Sequence, residues 1–302
     1  MKVAISTSSF ASTDSTPLEV LEDRGVEVIQ NPYGRKMTES EIVNHLHDVD
    51  GLLAGLEPLN SNVFKRCPQL KAIARVGIGM DNVDLEAAKK SGIKISNTPD
   101  GPTNAVAEMT VGAALALARN IIPANQALHG KKWAKSIGLG LKNTTILIIG
   151  YGRIGRRAAE LFKNFGSEIM ICDPLVKESE INKSYRITGM QEGLQAAQII
   201  SLHAAGDNPI LTSNEFDLMK DGVVILNSAR GNLIEEQALI DALDSGKVAS
   251  GWLDTFPSEP YSGRLTEYPQ LILTPHMSTY SVQCRKDMEM AAVDNLLQDL
   301  TF

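Results

Sequence analysis

The chain has 302 residues, 43% hydrophobic and 22% charged, with 36 acidic against 29 basic side chains and a net charge of −7. That length suits two domains of about 100–200 residues each. Dispersed Lys and Arg on an acidic background leave no electrostatic footprint for nucleic acid. Its apolar runs, such as Val111 to Ala118 and Ile146 to Ile149, fall far short of the roughly 18 residues that span a bilayer. Three cysteines, Cys67, Cys172 and Cys284, share no spacing motif, as in a reduced compartment. A cytoplasmic protein with no membrane partner is expected.

In chain order, short β-branched runs predict strands at Lys2–Ser6, Val26–Gln30, Gly51–Ala54, Leu70–Arg75 and Ile93–Ser96. The Lys2–Ser6 run is cut off too early to be a signal-peptide core. Helical patterns lie between the strands, at Pro17–Arg24, Glu39–Asp48, Ser61–Cys67 and Leu85–Lys90. This rhythm argues for a parallel sheet covered by helices on both faces. The turn formers Asn97-Thr98-Pro99-Asp100-Gly101-Pro102 then break the pattern. A helix, Thr103 to Asn120, follows with small apolar residues on nearly every face, the mark of a helix buried on most sides. Asn120 to Asn143, with Trp133 in it, reads as irregular.

A second series of strands is predicted at Thr145–Ile149, Glu168–Cys172, Ile199–Leu202, Val223–Asn227, Ala249–Leu253 and Leu271–Thr274. Helices separate them at Arg153–Phe165, Thr212–Met219 and Leu233–Asp244, and a last one runs from Tyr280 to Leu300. The fold class is therefore α/β with two doubly wound parallel-sheet domains.

Within the second series, Gly150-Tyr151-Gly152-Arg153-Ile154-Gly155 follows an apolar strand directly and opens a helix. Gly150 permits the tight turn, Gly152 lets a pyrophosphate approach the backbone, and Gly155 lets helix and strand pack closely. The helix N-terminus offers N–H groups and partial positive charge to phosphate. Asp173 ends the next strand, 18 residues after Gly155, where a carboxylate accepts hydrogen bonds from an adenosine ribose. It would repel a 2′-phosphate, which favours NAD over NADP. Asp-Pro also starts turns, so Asp173 has a capping alternative.

Three later segments also follow apolar strands: Asn227-Ser228-Ala229-Arg230-Gly231, Leu253 to Pro260 and Leu273-Thr274-Pro275-His276. They bring an Arg, a Glu and a His to the carboxyl edge of one sheet, where ligands collect. A histidine titrates near neutrality and suits proton transfer. Glu259 would fix the ring of His276 in one tautomer and favour its imidazolium form. Arg230 offers a rigid fork to a substrate carboxylate. No chemistry is assigned to His45, His47 or His129, while His203 is open between a cofactor-loop position and a core histidine. No metal is assigned.

With these motifs in order, and with Ala74-Arg75-Val76-Gly77-Ile78-Gly79-Met80-Asp81-Asn82-Val83-Asp84 upstream, the chain resembles the D-isomer-specific 2-hydroxyacid dehydrogenases. That family contains phosphoglycerate, glycerate and D-lactate dehydrogenases, and the resemblance runs from about residue 45 to 290. It implies a Rossmann NAD-binding domain, 99–281, inserted into a flavodoxin-like catalytic domain, 1–98 and 282–302. It also implies NAD as cofactor, a small 2-hydroxy or 2-oxo acid as substrate, and a homodimer built on Thr103–Asn120 and the arm around Trp133. Arg230, Glu259 and His276 are the implied catalytic residues.

The implied cofactor surface is Ile78, Gly150, Gly152, Arg153, Ile154, Gly155, Asp173, Ala204, Ser228, Ala229, Asp254 and Ser278, with Asp254 at the nicotinamide end. Arg75 and the backbone of Gly77, Ile78 and Gly79 are the implied substrate contacts. Met277-Ser278-Thr279-Tyr280 stands where the family usually has Gly or Ala, and the bulk of Tyr280 is expected to narrow the cleft or change the reach of the cofactor loop. The loop Ala54-Gly55-Leu56-Glu57-Pro58-Leu59 is expected to face the substrate. It has no Arg, and Glu57 would repel a phosphate. Because the chain stops at Phe302, the C-terminal regulatory domains of some phosphoglycerate dehydrogenases are expected to be missing. A formate dehydrogenase, a phosphite-oxidising enzyme and a non-enzymatic NAD-sensing scaffold remain as alternatives.

Overall fold

The computed structural model describes residues 1–300. The chain divides into two compact units, Met1–Pro102 with Thr279–Phe302, and Thr103–Ser278. The sequence placed these boundaries after residues 98 and 281.

In the first unit, strands β1 (Lys2–Ile5), β2 (Glu27–Ile29), β3 (Gly51–Ala54), β4 (Ala72–Arg75) and β5 (Lys94–Asn97) alternate with helices. The helices are α1 (Thr16–Asp23), α2 (Glu39–His45), α3 (Ser61–Arg66) and α4 (Leu85–Lys90). Each of the last three starts where its sequence satisfies free N–H groups. Thr38 and Glu41 form a capping box on α2, and the Asn60 and Asp84 side chains cap α3 and α4. The strands pair in parallel in the order β2-β1-β3-β4-β5. This flavodoxin-like order has its switch point between β1 and β3. Strands β3 and β4 are buried along their whole length, as in a sheet covered on both faces.

The second unit holds α5 (Pro102–Ala118) and α6 (Ile121–His129), then β6 (Thr145–Ile149), α7 (Arg153–Asn164), β7 (Glu168–Cys172), β8 (Arg186–Ile187) and α8 (Met190–Ala196). It continues with β9 (Ile199–Leu202), α9 (Ser213–Leu218), β10 (Val223–Asn227), α10 (Glu236–Asp244), β11 (Val248–Leu253) and β12 (Leu271–Leu273). Its strands run in parallel in the order β12-β11-β10-β9-β6-β7-β8. That is the Rossmann order, with the switch point between β6 and β9. Strand β6 divides its side chains between two cores. Leu147 and Ile149 enter one with Ile200, Leu202 and Ile225, and Ile146 and Ile148 enter the other with Ala114, Phe162 and Trp252. Helix α7 buries Gly155, Ala158, Ala159 and Phe162, one stripe at helical spacing. The chain then returns to the first unit as α11 (Val282–Leu300), which buries Cys284, Met288, Ala292, Val293, Leu296 and Leu297.

The stretch read as irregular contains α6. This helix starts after Asn120 in the left-handed region (φ 52°), ends at Gly130 and buries none of its residues. Nothing in it alternates between core and solvent, so the periodicity that marks a helix is missing. The sequence reading also passed over β8 and α8. The first is a two-residue exposed edge strand. The second is a short helix with Gly193 in its middle, where a Cβ would meet Leu147 Cδ1 at 2.7 Å. Among the described residues, no single helix is long and apolar enough to cross a membrane.

Candidate active site

The glycine-rich turn between β6 and α7 is built by close approach. Gly150 lies at φ +93°, and a Cβ there would meet Ala204 N at 2.4 Å. A Cβ on Gly155 would meet Gly150 O at 2.0 Å, so the first turn of α7 packs directly on the strand end. At Gly152, by contrast, an added Cβ would find nothing within 4 Å. The surface above Gly152 is thus clear backbone at a helix N-terminus, which is what a pyrophosphate needs. Arg153 and Ile154 open α7 beside it.

Asp173 follows β7, as required for a ribose contact. Its Oδ2 accepts from Tyr151 N at 2.6 Å and its Oδ1 from Leu175 N at 2.8 Å. One carboxylate therefore both braces the glycine-rich turn and caps the turn after β7. Ala204 and His203 follow β9, across the switch point. Ser201 Oγ lies 2.8 Å from His203 Nε2, and burial pushes the imidazole pKa down to about 4, so the ring is neutral near pH 7. His203 is half-buried beside the turn, with one ring nitrogen engaged by Ser201.

The other three segments follow β10, β11 and β12. After β10 the buried Asn227 side chain accepts from Ala229 N at 3.0 Å and donates to Arg230 O at 2.9 Å. It fixes the turn that presents Arg230, whose Nη1 donates to Ala229 O at 2.8 Å. Ser228 Oγ lies 3.5 Å from Thr110 Oγ1. A Cβ on Gly231 would meet Phe256 C at 2.0 Å and Pro257 N at 2.3 Å. The missing side chain lets the Arg230 turn pack against the loop that carries Glu259.

Glu259 Oε1 accepts from Phe256 N at 3.1 Å, and Oε2 lies 2.9 Å from His276 Nδ1. Both side chains keep a third or more of their surface exposed, 34% for Glu259 and 41% for His276. The pair is thus reachable by solute, with Nδ1 engaged and Nε2 the remaining ring nitrogen. His276 sits at φ +51°, a left-handed conformation unusual for a residue with a side chain. Asp254 and Ser278 are buried just behind it.

Sequence reasoning missed Asn227. An Asn two residues before the N–H it accepts from was the available signal.

In the first unit, Arg75 ends β4, and Gly77, Ile78 and Gly79 lie in the turn after it. Arg75 is only 8% exposed, and its Nη1 turns back to Val76 O. A Cβ on Gly77 (φ +144°) would meet that same nitrogen at 2.7 Å. Gly77 N donates to Thr98 Oγ1 at 2.8 Å, which leaves Ile78 and Gly79 as the donors of that trio. Glu57 is turned inward, at 1% exposed, instead of facing a ligand. Its Oε1 accepts from Ser6 Oγ and from Gly55 N, the latter at 3.1 Å, across the β1/β3 switch point. Burial raises its pKa, and the exposed position of that loop falls to Leu56. Tyr280 also belongs to this unit and lies under the Arg285 guanidinium, 5.3 Å from ring centroid to Cζ.

Residues 111–278 match the family model of the D-isomer specific 2-hydroxyacid dehydrogenase NAD binding domain, more than half of the chain. The chain belongs to this family. As a D-2-hydroxyacid dehydrogenase family member it carries NAD as cofactor, and the glycine cradle fits that group. The chain is 34% identical over 291 residues to D-3-phosphoglycerate dehydrogenase of Sus scrofa, covering 93% of this chain and 54% of that one. It therefore spans about half the length of the phosphoglycerate dehydrogenases it matches. Hydroxypyruvate reductase of Thermotoga maritima is 32% identical over 274 residues, covering 87% of this chain and 89% of the reductase. Among solved structures, the TT0316 protein of Thermus thermophilus superposes with a TM-score of 0.90 at 30% identity, over 99% of this chain and 97% of that one.

Proposed function

We propose that the protein is an NAD-dependent oxidoreductase that interconverts a short 2-oxo acid and its 2-hydroxy acid, with His276 as the acid–base group. The observation that carries this reading is the 2.9 Å contact between His276 Nδ1 and Glu259 Oε2, on the same sheet edge as the NAD cradle. A carboxylate on Nδ1 holds the ring in one tautomer, leaving Nε2 to exchange a proton with substrate. In the reducing direction His276 Nε2 gives its proton to the carbonyl oxygen of the 2-oxo acid. In the oxidising direction it takes the hydroxyl proton. NAD(H), when bound, accepts or supplies the hydride at C2. Arg230, held by the Asn227 turn, binds the substrate carboxylate and polarises the adjacent carbonyl. A paired His and Glu favours this chemistry over a scaffold that only senses the cofactor.

The substrate we propose is unphosphorylated, of the size of hydroxypyruvate or glyoxylate. The loop 54–59 contains no cation, and the Arg75 guanidinium is buried against its own backbone. The exposed apolar side chains Ile121, Ile122, Leu128, Trp133 and Ile137 support a homodimer, since a patch of that kind marks a protein contact. Three free cysteines support a cytoplasmic location.

A screen of NADH consumption across 2-oxo acids tests the reaction. Turnover is expected with hydroxypyruvate or glyoxylate at a higher kcat/KM than with phosphohydroxypyruvate. NADH binding without turnover of any 2-oxo acid would overturn the assignment.

A further inference from the structure

The loop that carries Glu259 is folded around one aromatic ring. Residues 254–270 join β11 to β12, and Tyr261 packs in their midst against the core that holds Leu253 and Leu265. Its ring stacks on that of Phe256, with centroids 4.4 Å apart and planes 16° apart. Its hydroxyl donates to Glu236 Oε1 on α10 at 2.9 Å and accepts from Leu265 N at 3.2 Å. A Cβ on Gly263 would meet that hydroxyl oxygen at 2.4 Å, so the chain passes close beside it. Burial, and then the neighbouring Glu236 carboxylate, push the phenol pKa up, so the hydroxyl keeps the proton it donates.

Phe256 links this ring to the acid–base pair. Its backbone is seated against Gly231, where a Cβ would lie 2.0 Å from Phe256 C, and its ring is held by Tyr261. Between those two contacts its N–H donates to Glu259 Oε1 at 3.1 Å, and Glu259 Oε2 lies 2.9 Å from His276 Nδ1. Holding an exposed carboxylate in one geometry costs side-chain entropy, and here the N–H that holds it is itself fixed on two sides. The anchor is α10, which buries Ala238, Leu239, Ile240, Ala242 and Leu243 and carries Glu236 in its first turn. We propose that Tyr261, tied to Glu236, is a positioning residue: it fixes Phe256 and so aims the Glu259 carboxylate at His276 Nδ1, without touching substrate or NAD. This rests on the assignment of His276 as the acid–base group with Glu259 as its partner.

Two variants of Tyr261 test it. Tyr261→Phe keeps the stacked ring and removes the hydroxyl, whereas Tyr261→Leu removes the stack as well. The expected fall in kcat for 2-oxo acid reduction is about 3- to 10-fold in the first and about 10- to 100-fold in the second, the loss a misplaced catalytic group produces. The KM for the 2-oxo acid and the NADH Kd, read by fluorescence titration, are expected to stay within about twofold. The deciding measurement is the double variant Tyr261→Leu/Glu259→Ala. If Tyr261 works through Glu259, its effect on kcat disappears once that carboxylate is gone.

An equal fold-loss in both backgrounds overturns the proposal while leaving the acid–base assignment standing. So does a tenfold change in KM or NADH Kd with kcat retained, which would make the loop a binding element. Full turnover in Glu259→Ala alone removes Glu259 from the acid–base pair, and this proposal with it. Should Tyr261→Leu fail to fold, Glu236→Ala takes away the anchor of the hydroxyl and is expected to match the loss in Tyr261→Phe. That loss too should vanish without Glu259, and its persistence there would overturn the proposal equally.

Discussion

At the residue scale, the site consists of side chains whose partners dictate their use. Arg230 follows the turn that Asn227 fixes, which in the proposed role would aim its planar fork at the substrate carboxylate. Arg230→Lys keeps the charge and loses the fork. A charge-assisted bond is worth about 1.5–3 kcal/mol, so kcat/KM is expected to fall on the order of 10- to 100-fold, mostly through KM for the 2-oxo acid. An unchanged KM would remove Arg230 from the carboxylate. His203 provides a pH signature of stability. Its folded pKa of about 4 lies below the ordinary 6.5, so the unfolded chain takes up the proton first as pH falls. The His203 contribution to stability is therefore constant above pH 6.5 and is lost from there toward pH 4, by about 3 kcal/mol. Thermal unfolding across that window should show a shallower decline in His203→Asn than in the parent, and equal slopes would contradict the burial argument. The segments that carry Arg230, Glu259 and His276 were legible because each follows an apolar strand. The hydrogen bonds of Asp254 to Thr274 and Ser278 were not, because those partners are 20 to 24 positions away and meet it only when β11 and β12 pair.

At the element scale, glycines separate packing from binding. A Cβ on Gly155 would lie 2.0 Å from Gly150 O, while one on Gly152 would meet nothing within 4 Å. Gly155→Ala is expected to destabilise by about 1–3 kcal/mol, as overpacking does. Gly152→Ala should leave the melting temperature close to that of the parent and weaken NADH binding instead. Calorimetry and an NADH titration on both variants read the contrast, and equal stability loss in the two would refute it. The strand–turn–helix around these glycines was readable since a continuous apolar run, Thr145–Ile149, gives way to a stripe at helical spacing, Gly155, Ala158, Ala159 and Phe162. Helix α6 was not, because burial supplies the period and none of its residues is buried.

At the scale of the whole molecule, two parallel sheets of different strand order share one chain, the second encoded inside the first. Alternating strands and helices pointed to both sheets. The strand orders β2-β1-β3-β4-β5 and β12-β11-β10-β9-β6-β7-β8 follow from crossovers between distant segments, which local periodicity does not record. The exposed apolar run 121–137 belongs to this scale as well. Sedimentation should show a species of twice the 32.7 kDa chain mass, and Trp133→Asp should shift it toward the monomer. A monomer at all concentrations would exclude the homodimer. The most direct test of the proposed reaction is steady-state reduction of a 2-oxo acid by His276→Ala, with NADH binding measured on the same preparation. The expected result is a kcat lower by about 10²- to 10⁴-fold, the usual contribution of a general acid, with the NADH Kd unchanged. Full turnover in that variant would contradict the role of His276 and the chemistry built on it.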